Sequence, residues 1–438
     1  MSDETSSPFE LGRAELATGR RTLLTAAGGG ALFSTAAAMA GRAEAADRGR
    51  KKPRFAKRRA YVVVVDGCRP DEIDEGLTPR LQALRDGGMR FPRASSMPVM
   101  ETIPNHVMMM SGVRPDRSGV PANSIFDRGL GAVRTLDRAT DIRGKTVIER
   151  LNARGYKTGT VLSKEYLYGV FGTRATYRWE PEPIVPVSGH APDRFTMAAA
   201  LSMIDTADPH LVFINLGDID RFGHSDLTGP LGLKAARQTA LADTDALVGQ
   251  LIDHLQATGR WERSAVIVLA DHSMDWSTPD KVISLNAPLN ADPLLLGKVQ
   301  IASNGGADLL YWTGAADQRT AALARMREIA AAVPGVLSTH LTTDDWLRLG
   351  PEAGDVLVYC QQGWRFSDPN PVTANPIPGN HGHPATRRIP FFIGGGHPLV
   401  PRGASSPRHA HTVDVAPTLA TFFGMSAGRK KYDGRSRL

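Results

Sequence analysis

Two short stretches bring a carboxylate and an imidazole together. In Asp220-Arg221-Phe222-Gly223-His224 they stand four residues apart, and in Asp271-His272 they are adjacent. A third imidazole, His381, lies in Gly379-Asn380-His381-Gly382, and a further carboxylate, Asp66, follows the run Tyr61-Val62-Val63-Val64-Val65. Three carboxylates and three imidazoles form a mixed oxygen and nitrogen donor set, which suits zinc or a similar transition metal better than calcium. The chain has two cysteines, Cys68 and Cys360, without the spacing of a thiolate site; they are read as buried free thiols or a single bridge. Each of these features alone is common as a turn or a cap, and their combination is what points to chemistry.

Thr102, in Met100-Glu101-Thr102-Ile103-Pro104-Asn105-His106, is the candidate nucleophile. Pro104 presets the first turn of a helix. A threonine there also serves as an N-cap, and the two roles are compatible. Free backbone N–H groups and the positive end of the helix dipole favour a phosphate at that position. A metal ion on the hydroxyl oxygen would lower its pKa and make it nucleophilic.

The elements that must position these residues follow a repeating order of strand, loop and helix. Tyr61–Val65 is apolar at every position, as is a strand covered on both faces of a parallel sheet. Leu211–Leu216 and Ala265–Leu269 have the same character, and 156–162 and 389–393 are expected as further strands. Thr78-Pro79 opens a helix that stops at Gly87-Gly88, a long helix runs over 232–259, and 413–423 reads as a closing helix. The expected fold is α/β, a doubly wound and mostly parallel sheet flanked by helices. Ligands in such sheets bind beyond the carboxyl ends of strands, which is where Asp66, Asp220 and Asp271 fall. The stretch of about 276–372 is less regular and is expected to form a small inserted or capping subdomain.

The 438 residues, 42% hydrophobic and 22% charged, are ordinary for a globular enzyme, and no repeat of fixed period appears. Arg20-Arg21, an Ala/Gly/Leu run to Ala40 and the small-x-small ending Ala43-Glu44-Ala45 match a twin-arginine export signal over 1–45. That run is too short and Gly-rich for a good membrane span. The segment 46–59 contains a basic run with eight Lys or Arg between Arg48 and Arg59, and is read as a solvated flexible leader. With a single aromatic, Phe55, it does not suggest a stable nucleic-acid complex. The net charge of +7 favours anionic substrates. One catalytic domain is expected over 60–438, exported through the twin-arginine machinery to the periplasm, envelope or medium.

Taken together, these residues resemble the alkaline phosphatase superfamily, and most closely its nucleotide pyrophosphatase/phosphodiesterase branch. The similarity runs from Tyr61 to about Gly424. It is most specific in Thr102-Ile103-Pro104-Asn105-His106, Ser111-Gly112-Val113-Arg114-Pro115-Asp116 and Gly119-Val120-Pro121-Ala122-Asn123-Ser124. Asp66-Gly67-Cys68-Arg69 resembles the branch's Asp-Gly-Phe-Arg. The resemblance implies that Asp66, Thr102, Asp271 and His272 bind one divalent ion and Asp220, His224 and His381 a second, zinc being usual. It also implies that Thr102 attacks and that Asn123 donates to a non-bridging phosphate oxygen. Two ions about 4 Å apart clamp a phosphoryl group and stabilise attacking and leaving oxygens.

Departures from the branch pattern are local. Cys68 replaces a common Phe, Ser273 stands where Gly is usual, and Gly217-Asp218 replaces Glu-Pro. Asp218 and His383 are competing ligands, disfavoured because Asp220 keeps the spacing to His224 and Gly flanks His381. The substrate expected is a small phosphodiester or pyrophosphate, nucleotide-like if Phe126, Tyr166 or Tyr168 stacks a base. The alternatives are a phosphomonoester, a phosphonate or a sulfate ester on the same site. An inactive exported binding protein would show a broken ligand set, whereas all seven positions hold competent residues. A mutase on the same fold would not need export.

Overall fold

The computed structural model describes residues 55–73, 76–182, 189–225, 235–368, 378–428 and 430–438. The export signal over 1–45, and the leader up to residue 54, lie outside the described residues. The leader's last residues depart from the solvated reading. Arg59 already belongs to the first strand and pairs with Asp208 at 2.5 Å, while the Arg58 guanidinium lies over the Phe55 ring at 3.8 Å.

Five strands matter for the site: β1 (Arg59–Val65), β2 (Thr158–Leu162), β3 (Leu211–Leu216), β4 (Ser264–Leu269) and β5 (Phe391–Gly394). They belong to an eight-stranded sheet in the order Ala404–Ser405, Met89–Arg90, β5, β4, β1, β3, β2, Tyr177–Trp179. β1 lies at its centre, parallel to both β3 and β4, with Val63 in register with Ile214 and with Val268. β5 is antiparallel to β4, so the sheet is mixed towards that edge. Every residue of β1, β3 and β4 is buried, as a sheet covered on both faces requires. Removing such side chains from water contributes roughly 1.5–3 kcal/mol for each fully buried Val, Leu or Ile.

Three helices carry site residues or hold them: α1 (Thr102–Ser111), α2 (Asp218–Ser225) and α3 (Ala235–Ala257). The helix Pro79–Gly87 begins at its proline as expected, but the Thr78 hydroxyl donates to the Glu72 carbonyl and does not cap it. The closing helix spans Val415–Phe422 and packs on α1. Among the described residues no helix is long and apolar enough to cross a membrane.

The region expected to be irregular is instead built on a second sheet. Four antiparallel strands, Val299–Asn304, Ala307–Trp312, Val336–Leu341 and Val356–Cys360, are packed on the helix Arg319–Ala332. It has its own apolar core, including Leu310, Met326 and Val358. Periodicity missed it because alternation breaks at a β-bulge between Val336 and Ser338 and because Ala307–Trp312 is buried at every position. Cys68 and Cys360 are both buried free thiols.

Candidate active site

Parallel register puts the carboxyl ends of β1, β3 and β4 side by side, and the candidate residues gather there. Asp66 follows β1, Asp271 and His272 follow β4, and α2 brings Asp220 in after β3. Gly67 is required at the first of these ends. Its φ is +70°, in the left-handed region, and a Cβ there would lie 3.1 Å from the Asp220 side chain. Arg237 of α3, only 1% exposed, donates to the Gly67 and Ile219 carbonyls and to both oxygens of Glu72, tying the β1 turn to α2.

Thr102 is the first residue of α1, and Glu101, not Thr102, occupies the cap position. The Thr102 Oγ lies 3.1 Å from His272 Nε2. Asn123 stands beside the same helix end: its Oδ1 accepts from the Ile103 N–H at 2.8 Å and its Nδ2 donates to Glu101 at 2.5 Å. The second N–H of that amide has no hydrogen-bond partner among the described residues.

The donor set can be tested for a metal on its own geometry. Atoms of Asp66, Asp271 and His272 come within 4.8 Å of one another, and so do atoms of Asp220, His272 and His381. Buried Asp220 Oδ1 and Asp271 Oδ2 make no hydrogen bond. Asp66 Oδ1 also lacks an aligned one, although the Lys164 ammonium is 2.8 Å away. The Nδ1 atoms of His272, His224 and His381 each face a backbone carbonyl, those of Ser273, Gly379 and Met100. That partner assigns the proton to Nδ1 and leaves the Nε2 lone pair for the cluster, the usual orientation of a metal-binding histidine. His224 Nε2 lies 3.3 Å from Asp220 Oδ1 and 3.1 Å from His381 Nε2, two nitrogens that repel unless a cation or proton lies between them. Buried carboxylate oxygens without an aligned hydrogen bond, beside converging imidazole nitrogens, fit divalent ions.

Electrostatics agree. Burial raises the Asp66 pKa, and the neighbouring Asp271 adds to it. At Asp220 burial is outweighed by Lys164 and His224, which hold the carboxyl well below its ordinary range. Burial also lowers His272, keeping the ring neutral as a ligand must be. His381 is pushed up to about 9, because Glu101 outweighs the opposing effect of burial. An ion bound at His381 would displace that proton.

Several residues of the site were not singled out from sequence. Lys164, fully buried, reaches both Asp66 Oδ1 at 2.8 Å and Asp220 Oδ2 at 2.7 Å, one carboxylate from each group. Asn215, at the end of β3, donates to Asp66 Oδ2 at 2.9 Å and accepts from Ser163 at 2.6 Å. His106, a turn after Thr102, has Nδ1 2.9 Å from the Thr102 carbonyl. Asn215 was legible as a polar residue inside an apolar strand; Lys164 carried no local signal. The competitors lie elsewhere. Asp218 engages His190 and the Asp193 N–H, and His383 faces Asp275 at 3.3 Å. Phe126 packs in the core on Tyr311, at 5.7 Å between ring centroids. Tyr166 is half-buried near Lys164.

An α/β sheet with a mixed carboxylate and imidazole cluster at its strand ends, beside a helix-borne threonine, is the frame of an alkaline-phosphatase-like protein. Residues 60–383 match the model of the type I phosphodiesterase / nucleotide pyrophosphatase family, and the chain belongs to that family. Among curated proteins it is 24% identical over 242 residues to the bovine bis(5'-adenosyl)-triphosphatase ENPP4, covering 52% of this chain and 50% of that one. It is 25% identical over 235 residues to mouse ectonucleotide pyrophosphatase/phosphodiesterase family member 1, covering 51% and 24%. The chain thus spans about half or less of the length of these curated relatives. In structure it is similar to human ectonucleotide pyrophosphatase/phosphodiesterase 5, with a TM-score of 0.68 and 17% identity over 84% of this chain and 96% of that chain. It is similar also to an inactive threonine-to-alanine variant of the murine protein in complex with AMP, with a TM-score of 0.67 and 18% identity over 85% and 96%.

Proposed function

We propose that the chain is an exported hydrolase of phosphodiester or pyrophosphate bonds that works through a phospho-threonine intermediate. The observation that carries this reading is the placement of the Thr102 Oγ, 3.1 Å from His272 Nε2, at a helix N-terminus facing two groups of buried donors. Asp66, Thr102, Asp271 and His272 would hold one divalent ion and Asp220, His224 and His381 a second. Mixed oxygen and nitrogen donors favour zinc. Bound there, the ions supply Lewis-acid charge at the phosphate and lower the pKa of the attacking hydroxyl.

The protein's own groups do the rest. Thr102 attacks phosphorus in line, its O–P bond forming as the bond to the leaving group breaks; water then cleaves the phospho-threonine. The α1 N-terminus and the free N–H of Asn123 stabilise charge on the non-bridging oxygens. Membership of the family supports the reaction class, and the relatives' printed names point to nucleotide-like substrates. The twin-arginine pattern in the first 45 residues supports delivery outside the cytoplasm.

The test compares bis-p-nitrophenyl phosphate with p-nitrophenyl phosphate, using wild type and Thr102→Ala with added zinc and with chelator. The expected result is a preference for the diester, loss with chelator, and a fall of about 10³-fold or more in the variant. A preference for the monoester would overturn the substrate class. Full zinc-dependent activity in Thr102→Ala would overturn the nucleophile.

A further inference from the structure

Glu101 sits at the cap position of α1, yet its side chain makes no capping hydrogen bond. It is 3% exposed, and it points across the helix end instead of along it. Oε1 lies 3.1 Å from His381 Nδ1, and Oε2 accepts from Asn123 Nδ2 at 2.5 Å. Asn123 is gripped at its other end by the Ile103 N–H, so its amide plane is set by α1 on one side and Glu101 on the other. One glycine makes room: a Cβ on Gly382 would fall 2.8 Å from Oε1, whereas Gly305, in the turn between two strands of the inserted sheet, is a neighbour whose Cβ would lie at an ordinary 3.7 Å. The carboxylate therefore sits where the nucleophile helix, the Asn123 turn, the His381 loop and the insert meet.

A buried carboxylate carries a desolvation cost that a cap or a salt link normally offsets. Here its contacts are an imidazole and an amide, each expected to face the substrate phosphate or an ion through its opposite end. We propose that Glu101 is the positioning residue of the site, its two oxygens together setting the His381 ring and the Asn123 amide relative to Thr102. This rests on the phosphodiesterase reading for its catalytic consequence, but not for its effect on metal binding. His381 Nδ1 also faces the Met100 carbonyl at 3.3 Å, which keeps its tautomer, so what Glu101 adds is charge: a carboxylate behind a metal-binding histidine raises the basicity of the ring, and losing such a partner typically weakens metal affinity by about 10–100-fold. With the amide held in the same grip, loss of Glu101 lowers kcat more than it raises KM.

The experiment uses Glu101→Gln, Asn123→Ala and the double variant in the full chain. Zinc affinity is measured by calorimetry and turnover with bis-p-nitrophenyl phosphate. Gln keeps the shape but turns a donor towards either the amide or the imidazole. The expected result is a zinc affinity lowered about 10–100-fold in Glu101→Gln. The double variant is then less impaired in kcat than the product of the single effects, because the two share one element. Zinc affinity within twofold of wild type, or single effects that multiply, would overturn the proposal. If Glu101→Gln does not fold, the zinc-loaded wild-type crystal structure decides. Glu101 must still bridge His381 Nδ1 and Asn123, and a Glu101 bound directly to zinc or turned to solvent sinks the idea. If Thr102→Ala keeps its activity while the zinc result holds, the phosphodiesterase reading fails and the positioning of His381 stands.

Discussion

The two proposed ligand sets are built differently, although His272 lies close enough to the donors of both to belong to either cluster. Asp66, Asp271 and His272 are fully buried, and all three stand directly beyond central strands of the parallel sheet. Asp220, His224 and His381 come from a short helix and a loop, and the His224 side chain is 23% exposed. The first group inherits its geometry from the register of β1 and β4. The second depends on packing between α2 and a loop 157 residues away, closed by contacts such as His224 to the Gly379 carbonyl.

That contrast can be broken most directly by removing one proposed ligand from each side. Asp271→Asn should weaken zinc binding by more than about 10²-fold, beyond the loss typical of an outer partner, whereas His224→Asn should fall within about 10–100-fold. Calorimetric titration of both variants decides it, and equal losses would end the distinction.

Next in size is Lys164→Met. Lys164 joins the two groups by contacting Asp66 and Asp220, and its loss leaves buried carboxylates uncompensated. In chelator the variant should lose roughly 3–5 kcal/mol of stability, with a smaller loss when zinc is bound. Denaturant unfolding in both conditions measures this, and equal losses would show that Lys164 and the ions do not share the same charge. Gly67→Ala should cost about 1–2 kcal/mol from its left-handed backbone alone. Because its Cβ would press on Asp220, it should also lower zinc affinity, unlike Gly131→Ala, where the glycine has a positive φ but open space around it.

The smallest effect expected lies outside both groups. Burial, helped by Arg59, lowers His210 to about 4 from an ordinary 6.5. Between those values the unfolded chain binds more protons than the folded one, so stability falls as pH drops from 6.5 towards 4. His210→Gln should flatten that part of the melting-temperature profile whether or not zinc is bound. A change that depends on zinc would mean that the fold couples His210 to the site.

Asp66, Asp220, Asp271 and His272 were legible as candidates because they follow apolar strands, and Thr102, His224 and His381 through the short motifs that hold them. A run such as Val62–Val65, apolar at every position, is buried on both faces, and the polar residue that follows must lie at the sheet's edge. Asn123 was legible only through its motif. Glu101 and Lys164 were not legible, since an acid before a helix reads as a cap and a lysine between Ser163 and Glu165 reads as a solvated loop. Nothing local distinguishes an ammonium that will be covered from one that will stay in water.

Sequence by itself determined the apolar strands, the residues at their ends and the chemistry those residue types allow, because hydrophobic burial and donor identity are properties of short segments. The tertiary structure alone decided which imidazole nitrogen faces which carboxylate, that Glu101 turns from the helix to His381 and Asn123, that Lys164 is enclosed, and that the insert forms a sheet. Those outcomes depend on contacts between segments far apart in the chain, whose energies local pattern does not encode.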